Sequence, residues 1–549
     1  MTQDVRNVAQ LLVTCLENEG VEFVFGLPGE ENLHIIDALA DSPIRFITTR
    51  DERGASFMAD TYGALTGRAG VCLATLGPGA INLMLGIANA QLDSHPLVAI
   101  TAQAALGRIY KESHQFVDLV SLYRPITKWG GMVTLPLAAP EMVRKAFKQA
   151  TTERPGATFI ILPEDVAELP GEGEPLPVNV PRDPAPSEDQ VHRAAHVLRT
   201  STHPVVLAGP GVERDGAVEA LIRFSERLNV PVATTFLGKG VFPDDHPNAL
   251  GTIGFMVRDY ANFGFDRADV VVAVGYDLVE YSPARWNPNR DKRIVHVHRT
   301  VAEVDAYYSL EVGLQGSIGK ALDSIAGSSD LHALAGGVPP VRGLVREELE
   351  RGAVDDSFPL KPQRLVADIR SAMEHEDIVL CDTGAAKMWM ARLYPTYRPN
   401  TCLISNGLAT MAFSLPGAFA AKLVHPERKV LAVMGDGAFL MSAAEIETAV
   451  REHVPFVILV WVDGGYGLIG WKQDIHFGRQ AAVSFGNPDF VRLSESFGAH
   501  GYQIGAADEL LPTLRKALDD DVVSVIACPV DYRENARLIE RLGALTEPI

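Results

Sequence analysis

Two aspartates, Asp436 and Asp463, stand 27 positions apart, each at the end of an apolar run and each followed by glycine. The segment reads VLAVMGDGAFLMSAAEIETAVREHVPFVILVWVDGGYG. Its pattern predicts a buried strand closing on Gly435-Asp436-Gly437, a helix, and a second buried strand closing on Asp463-Gly464-Gly465. One intervening helix returns adjacent parallel strands to register. Both carboxylates then emerge at the carboxyl edge of one sheet, where open α/β sheets bind ligands. Mg²⁺ prefers near-octahedral oxygen coordination, with one or two carboxylates completed by ligand phosphate and water. Glycines beside each aspartate let backbone groups approach a diphosphate closely. A helix beginning near Ser442 adds a favourable dipole toward that edge. A lone Asp-Gly is an ordinary strand-end turn; two at this spacing favour a metal and diphosphate site.

Other residues are ambiguous by themselves. Glu52 follows the run RFITT and opens a helix, where the dipole favours any acid. Gln115 follows a histidine in a loop and alone reads as solvated. Met411 alone reads as core filling, the commoner role for Met on a helix. Gly77-Pro78-Gly79 alone is an ordinary βα loop.

The elements that must position these residues fall into three blocks. In the first, strands are expected at 21–25, 45–49, 70–75 and 97–101, with helices at 31–40, 52–65 and 80–91. The second has strands at 204–208, 230–235, 270–274 and 293–296. The third has them at 378–381, 430–434, 456–461 and 523–528. Short β-rich runs alternating with helical patterns imply parallel sheets covered on both faces. Pro/Gly-rich or weakly patterned stretches at about 168–189 and 327–359 read as linkers. The expected organisation is three doubly wound α/β domains, 1–167, 190–326 and 360–549. Blocks one and three are candidates for structural likeness.

At 549 residues the chain exceeds one core. A net charge of −20 with no basic run argues against nucleic acid and anionic membrane. Five scattered cysteines without metal-ligand spacing fit a reduced, cytoplasmic setting. The start MTQDVRNVAQ lacks a signal layout, and the longest apolar run, 455–462, is too short to cross a bilayer.

The GDG string with a second aspartate resembles the signature of thiamine-diphosphate enzymes. The resemblance implies metal ligation by Asp436, Asp463 and the Gly465 carbonyl. It also implies diphosphate contacts near Gly384, Ala385, Gly435, Gly437 and Ala438. Family members carry an activating glutamate after a first-block strand, commonly in an RHEQ-A-like string, and Glu52 matches that context. The flanking Arg50-Asp51 and Arg53 depart from it. Over nearly its whole length the chain is similar to acetolactate synthases, chiefly the catabolic, pyruvate-specific branch. The matching strings are VEFVFGLPG, TLGPGAIN, HQFVDLVSLYRPITKW, GYDLVEYSPARWNP, ISNGLATMAFSLPGA, WVDGGYGLI, ESFGAHG and PVDYREN.

That resemblance implies further roles. Met411 would hold thiamine bent, and the Ala409 carbonyl would accept a pyrimidine amino hydrogen. Asn82 would border the cofactor of the partner subunit. Gln115 would polarise a substrate carbonyl or carboxylate. Pro28, Gly29, Leu468 and Ile469 would line the substrate pocket. The active unit would be a homodimer with shared sites, or a tetramer. Mg²⁺ is expected and FAD is not. Where the anabolic branch places a tryptophan favouring 2-ketobutyrate, this chain has Lys472, with Trp471 one earlier.

The runner-up activity is a thiamine-dependent keto acid decarboxylase or C–C lyase. Decarboxylases of this family use a His-His pair and a glutamate after the metal motif. Here Ser113-His114-Gln115 and GGYGLIGW stand instead. A non-catalytic member would not need Glu52, Asp436 and Asp463 intact. A flavin or NAD oxidoreductase would want a GxGxxG with a following acid, which the chain lacks.

Overall fold

Continuous Val/Ile/Leu runs can be strands only where helices cover both faces. The computed structural model describes residues 6–179, 184–254, 263–329, 331–334 and 341–538. Among them are three six-stranded sheets, parallel throughout.

The first contains β1 (Phe23–Gly26), β2 (Arg45–Thr48), β3 (Gly70–Ala74), β4 (Leu97–Gln103), β5 (Trp129–Met132) and β6 (Ala157–Pro163), in the order β2-β1-β3-β4-β6-β5. The second contains β7 (Pro204–Ala208), β8 (Val232–Thr234), β9 (Ala249–Thr252), β10 (Val270–Val274), β11 (Arg293–His298) and β12 (Leu310–Gln315), in the order β12-β11-β10-β7-β8-β9. The third contains β13 (Ile378–Cys381), β14 (Cys402–Ile404), β15 (Val430–Gly435), β16 (Val457–Val462), β17 (His500–Gln503) and β18 (Ser524–Pro529), in the order β14-β13-β15-β16-β18-β17. The first and third orders are the same.

Three α/β sheets agree with the expected class. The structure adds two strands to each block, mostly at sheet edges. It also corrects two expectations. The stretch 327–359 is not bare linker, because it carries the helix Val341–Ala353; residues 330 and 335–340 lie outside the described residues, as do 180–183 of the other linker. The helix after β15 begins at Asp436 itself, not near Ser442: Asp436–Ser442 and Glu445–Arg451 are two short helices.

By contact the chain divides into two compact units. One comprises Met1–Pro181, Gly407–Glu427 and Met441–Pro455; the other comprises Arg182–Asn406, Arg428–Leu440 and Phe456–Ile549. The helices Ser414–Val424 and Glu445–Arg451 therefore belong to the first sheet's unit. Within it, the helix Glu52–Thr66 is capped by the Asp51 side chain and stopped by Gly67 at φ 66°. Every residue from Gly54 to Gly63 is buried, because the helices Pro78–Asp93 and Ser414–Val424 both pack on it. Gly86 permits that approach: a Cβ there would lie 2.3 Å from Ser56 Oγ. All five cysteines are buried and unpaired. No described helix is long and apolar enough to cross a membrane.

Candidate functional site

In the second unit, β15 and β16 pair with Gly435 opposite Trp461, so Asp436 and Asp463 leave the same sheet edge. Asp436 is fully buried. Its Oδ1 accepts the Gly437 amide at 2.8 Å, and its Oδ2 accepts the Gly464 amide at 2.8 Å and the Asn487 side-chain amide at 2.7 Å. Asp463 stands at the rim, open to solvent on one side. The atoms packed around it, and then the charge of Asp436, push its carboxyl up to about 7.

Two facing carboxylates of this kind suit a divalent cation. The Oδ1 of Asn487 adds a buried oxygen without a partner. Among the described residues no three His, Cys, Asp or Glu side chains cluster for a metal. An ion here would therefore complete its shell with carbonyl, phosphate or water oxygens, as Mg²⁺ does.

Gly384 follows β13 with φ 143°, a conformation that excludes a side chain, and caps the nine-residue helix Ala385–Leu393. A Cβ at Gly384 or Gly435 would meet nothing within 4 Å. Open space thus faces two glycines and a helix N-terminus, a combination that receives phosphate. Gly437 lies under the rings of Tyr466 and Phe485, and Ala438 is buried beside it. Gly465 pairs with Ser484 in an isolated bridge. The helix Gly467–Phe477 starts against Asp463: a Cβ at Gly467 would lie 2.3 Å from Asp463 Oδ2. Leu468 is half-buried on its first turn, whereas Ile469 is 48% exposed. Trp471 packs on the third sheet's core and Lys472 is exposed.

In the first unit, Glu52 is the first residue of its helix after β2. The Asn82 side-chain amide donates to Glu52 Oε2 at 3.0 Å, and a Cβ at Gly79 would lie 3.0 Å from Glu52 Oε1. Gly77, at φ 53°, packs against Gln115: a Cβ there would lie 2.7 Å from the Gln115 carbonyl. Gln115 itself has φ 57°, the type of strain found at functional loops. Its loop is held by Arg108, which donates to Ser113 Oγ at 2.9 Å, Glu164 Oε1 at 3.0 Å and the His114 carbonyl at 3.1 Å. Gly29, next to Pro28, packs on Thr75, whose hydroxyl donates to Glu31 at 2.8 Å. Pro28, Gly29, Glu52, Asn82 and Gln115 thus follow strands of one sheet at its carboxyl edge.

Ala409 and Met411 lie on the loop before the helix Ser414–Val424, in the same unit. Met411 is not on a helix, and it is only partly buried, so core filling does not explain it. Asp93 accepts the Gly407 amide at one end of this loop, and Phe413 meets Phe57 edge-on, 6.0 Å between centroids, at the other. Ala409 and Ala412 have φ of 55° and 72°.

Comparison with known proteins shows what the chain is similar to. Residues 6–122, 191–325 and 382–528 match the N-terminal TPP binding, central and C-terminal TPP binding domains of thiamine pyrophosphate enzymes. Acetolactate synthase of Bacillus subtilis (strain 168) is 35% identical over 96% of this chain and 94% of its own. The catabolic acetolactate synthase of Raoultella terrigena is 36% identical over 97% of each. A probable acetolactate synthase large subunit of Methanocaldococcus jannaschii is 35% identical over 98% of this chain and 94% of its own. The chain belongs to the thiamine-diphosphate-dependent acetolactate synthase family.

Sequence reasoning missed Arg108, Asp93, Asn487 and Glu445. Asn487 precedes a proline, a turn signal without hint of a metal. Asp93 and Glu445 act on residues distant in the chain, whereas Arg108 ties its own loop to Glu164; nothing local marks any of the three.

Proposed function

We propose that this chain condenses two pyruvates to 2-acetolactate with release of CO₂. The observation that carries the reading is similarity to acetolactate synthases over nearly the whole chain, which itself carries both residue sets. Thiamine diphosphate, when bound, would supply a nucleophilic thiazolium carbon for the keto group and a cationic ring able to take up the electron pair that CO₂ leaves behind. Asp436, Asp463 and the Gly465 carbonyl hold Mg²⁺, with the diphosphate against Gly384, Ala385, Gly435, Gly437 and Ala438. Glu52 exchanges a proton with the aminopyrimidine ring. The Ala409 carbonyl would accept from the amino group, and Met411 would support the cofactor from its loop.

Gln115 orients the substrate carboxylate or carbonyl. Pro28, Gly29, Leu468 and Ile469 form the rest of the pocket and seat a methyl group. The string GGYGLIGW holds no acid and Ser113-His114 is no histidine pair, which leaves attack on a second keto acid favoured over protonation. Lys472, exposed, does not stand in for the anabolic tryptophan, which favours pyruvate as acceptor.

We take the domain limits as 1–167, 190–326 and 360–549; each family match falls inside one of them. The working unit is a homodimer, Glu52 of one subunit serving the cofactor held by its partner. Exposed Ile81 and Leu85 on the helix that carries Asn82 support a buried surface there. The test is product analysis by mass spectrometry after incubation with thiamine diphosphate, Mg²⁺ and pyruvate. 2-Acetolactate is expected; predominantly acetaldehyde makes the protein a decarboxylase.

A further inference from the structure

We infer that Glu445 is a positioning residue for Glu52, holding by its backbone the turn that presents the activating glutamate. Glu445 opens the helix Glu445–Arg451 and is 1% exposed. Its Oε1 accepts the backbone amides of Arg50 at 3.1 Å and Asp51 at 3.0 Å; its Oε2 accepts the Thr448 hydroxyl at 2.7 Å. The two amides belong to the residues immediately before Glu52, where no strand or helix partner is available to them. Left unpaired in this part-buried turn, each would carry a cost. The carboxylate also presses on the first turn of the following helix, since a Cβ at Gly54 would lie 2.5 Å from Oε1. Residues 50, 51 and 54 therefore all bear on one side chain, and Glu52 lies between them.

Neighbouring contacts repeat the same link. The Arg451 guanidinium donates to the Thr48 carbonyl, Arg45 pairs with Glu452 at 3.3 Å, and Arg50 approaches Glu447 at 4.0 Å. A buried carboxylate is an expensive way to satisfy two amides. What it adds is rigidity at one point, and a proton-transfer group misplaced by about 1 Å can lose about 100-fold in rate.

The inference rests on Glu52 as activator, and the experiment separates the two. In cofactor-saturated enzyme, hydrogen–deuterium exchange at C2 is measured for Glu445→Ala, Glu445→Gln, Glu52→Gln and the double variant Glu52→Gln/Glu445→Ala. Val143→Ala, in the core of the same unit, serves as a reference for general destabilisation. Glu445→Ala should slow exchange about 10–100-fold with the KM for pyruvate little changed. Glu445→Gln should restore it largely, because the amide oxygen can take both backbone amides while its NH₂ donates to Thr448. The double variant should be no slower than Glu52→Gln alone. Slowing by Glu445→Ala no greater than by Val143→Ala, or undiminished in the Glu52→Gln background, overturns the positioning role. If Glu52→Gln itself leaves exchange unchanged, it is the activator assignment that falls.

Discussion

The Asn82 side-chain amide donates to the Glu52 carboxylate at 3.0 Å, fixing one rotamer of the residue assigned to cofactor activation. The contact joins the helix after β3 to the turn after β2, so it orients Glu52 from outside its own helix. A hydrogen bond to a charged group contributes about 1.5–3 kcal/mol. Asn82→Ala should therefore slow C2 exchange about 10–100-fold, while affinity for magnesium and cofactor changes little. Exchange kinetics alongside calorimetry check both halves of the statement.

Asp436 should tolerate no amide. Its Oδ1 and Oδ2 both receive N–H donors, from Gly437, Gly464 and Asn487. Asp436→Asn turns an NH₂ toward at least one of them and removes a charge from the proposed cation site. Calorimetric affinity for thiamine diphosphate should fall by about 100-fold or more and lose its dependence on Mg²⁺. Metal-dependent binding of unaltered strength would contradict the ligand role.

Ala412 sits at φ 72°, where a side chain is strained. Glycine relieves the strain but adds freedom to the unfolded chain, whereas a β-branched residue is an outlier there. Ala412→Gly should change stability by no more than about 1 kcal/mol. Ala412→Val should destabilise by about 2 kcal/mol or more. Denaturant unfolding of the two variants tests the difference.

Burial, and after it the charge of Asp51, raise the Glu445 carboxyl from 4.5 to about 7. In the unfolded chain this group ionises first, so its penalty on folding is absent below 4.5. The penalty grows as pH rises and is complete above about 7. Glu445→Gln carries no such term. Relative to the parent it should gain stability between about pH 5 and pH 8, by up to about 3 kcal/mol. A stability difference independent of pH would show that Glu445 ionises normally.

That Asp436 and Asp463 leave one sheet edge was legible because each ends an apolar strand and the interval between them fits one crossover. Glu52 was legible only through the resemblance, since a helix N-terminus explains an acid equally well. Glu445 was silent: it acts on amides 394 and 395 positions earlier, and no periodicity encodes such a contact. Among strands, β6 carries a continuous apolar signal in ATFIILP, while its edge neighbour WGGM offers two glycines and little to read. The helix Val341–Ala353 is rich in charge, and its sequence resembled linker more than packed structure.

The shared order of the first and third sheets sets their strand ends in one-to-one correspondence. After the first strand of each come Pro28-Gly29 and Gly384-Ala385. After the second come Glu52 and the Ala409–Met411 loop; after the third, Asn82 and Asp436; after the fourth, Gln115 and Asp463. The proposed proton-handling residues thus stand on one sheet at the strand ends where the other carries its proposed anion-binding residues, over the same scaffold. Exchanging a loop between matching strand ends is accordingly the smallest transplant that keeps the strand order of both sheets intact.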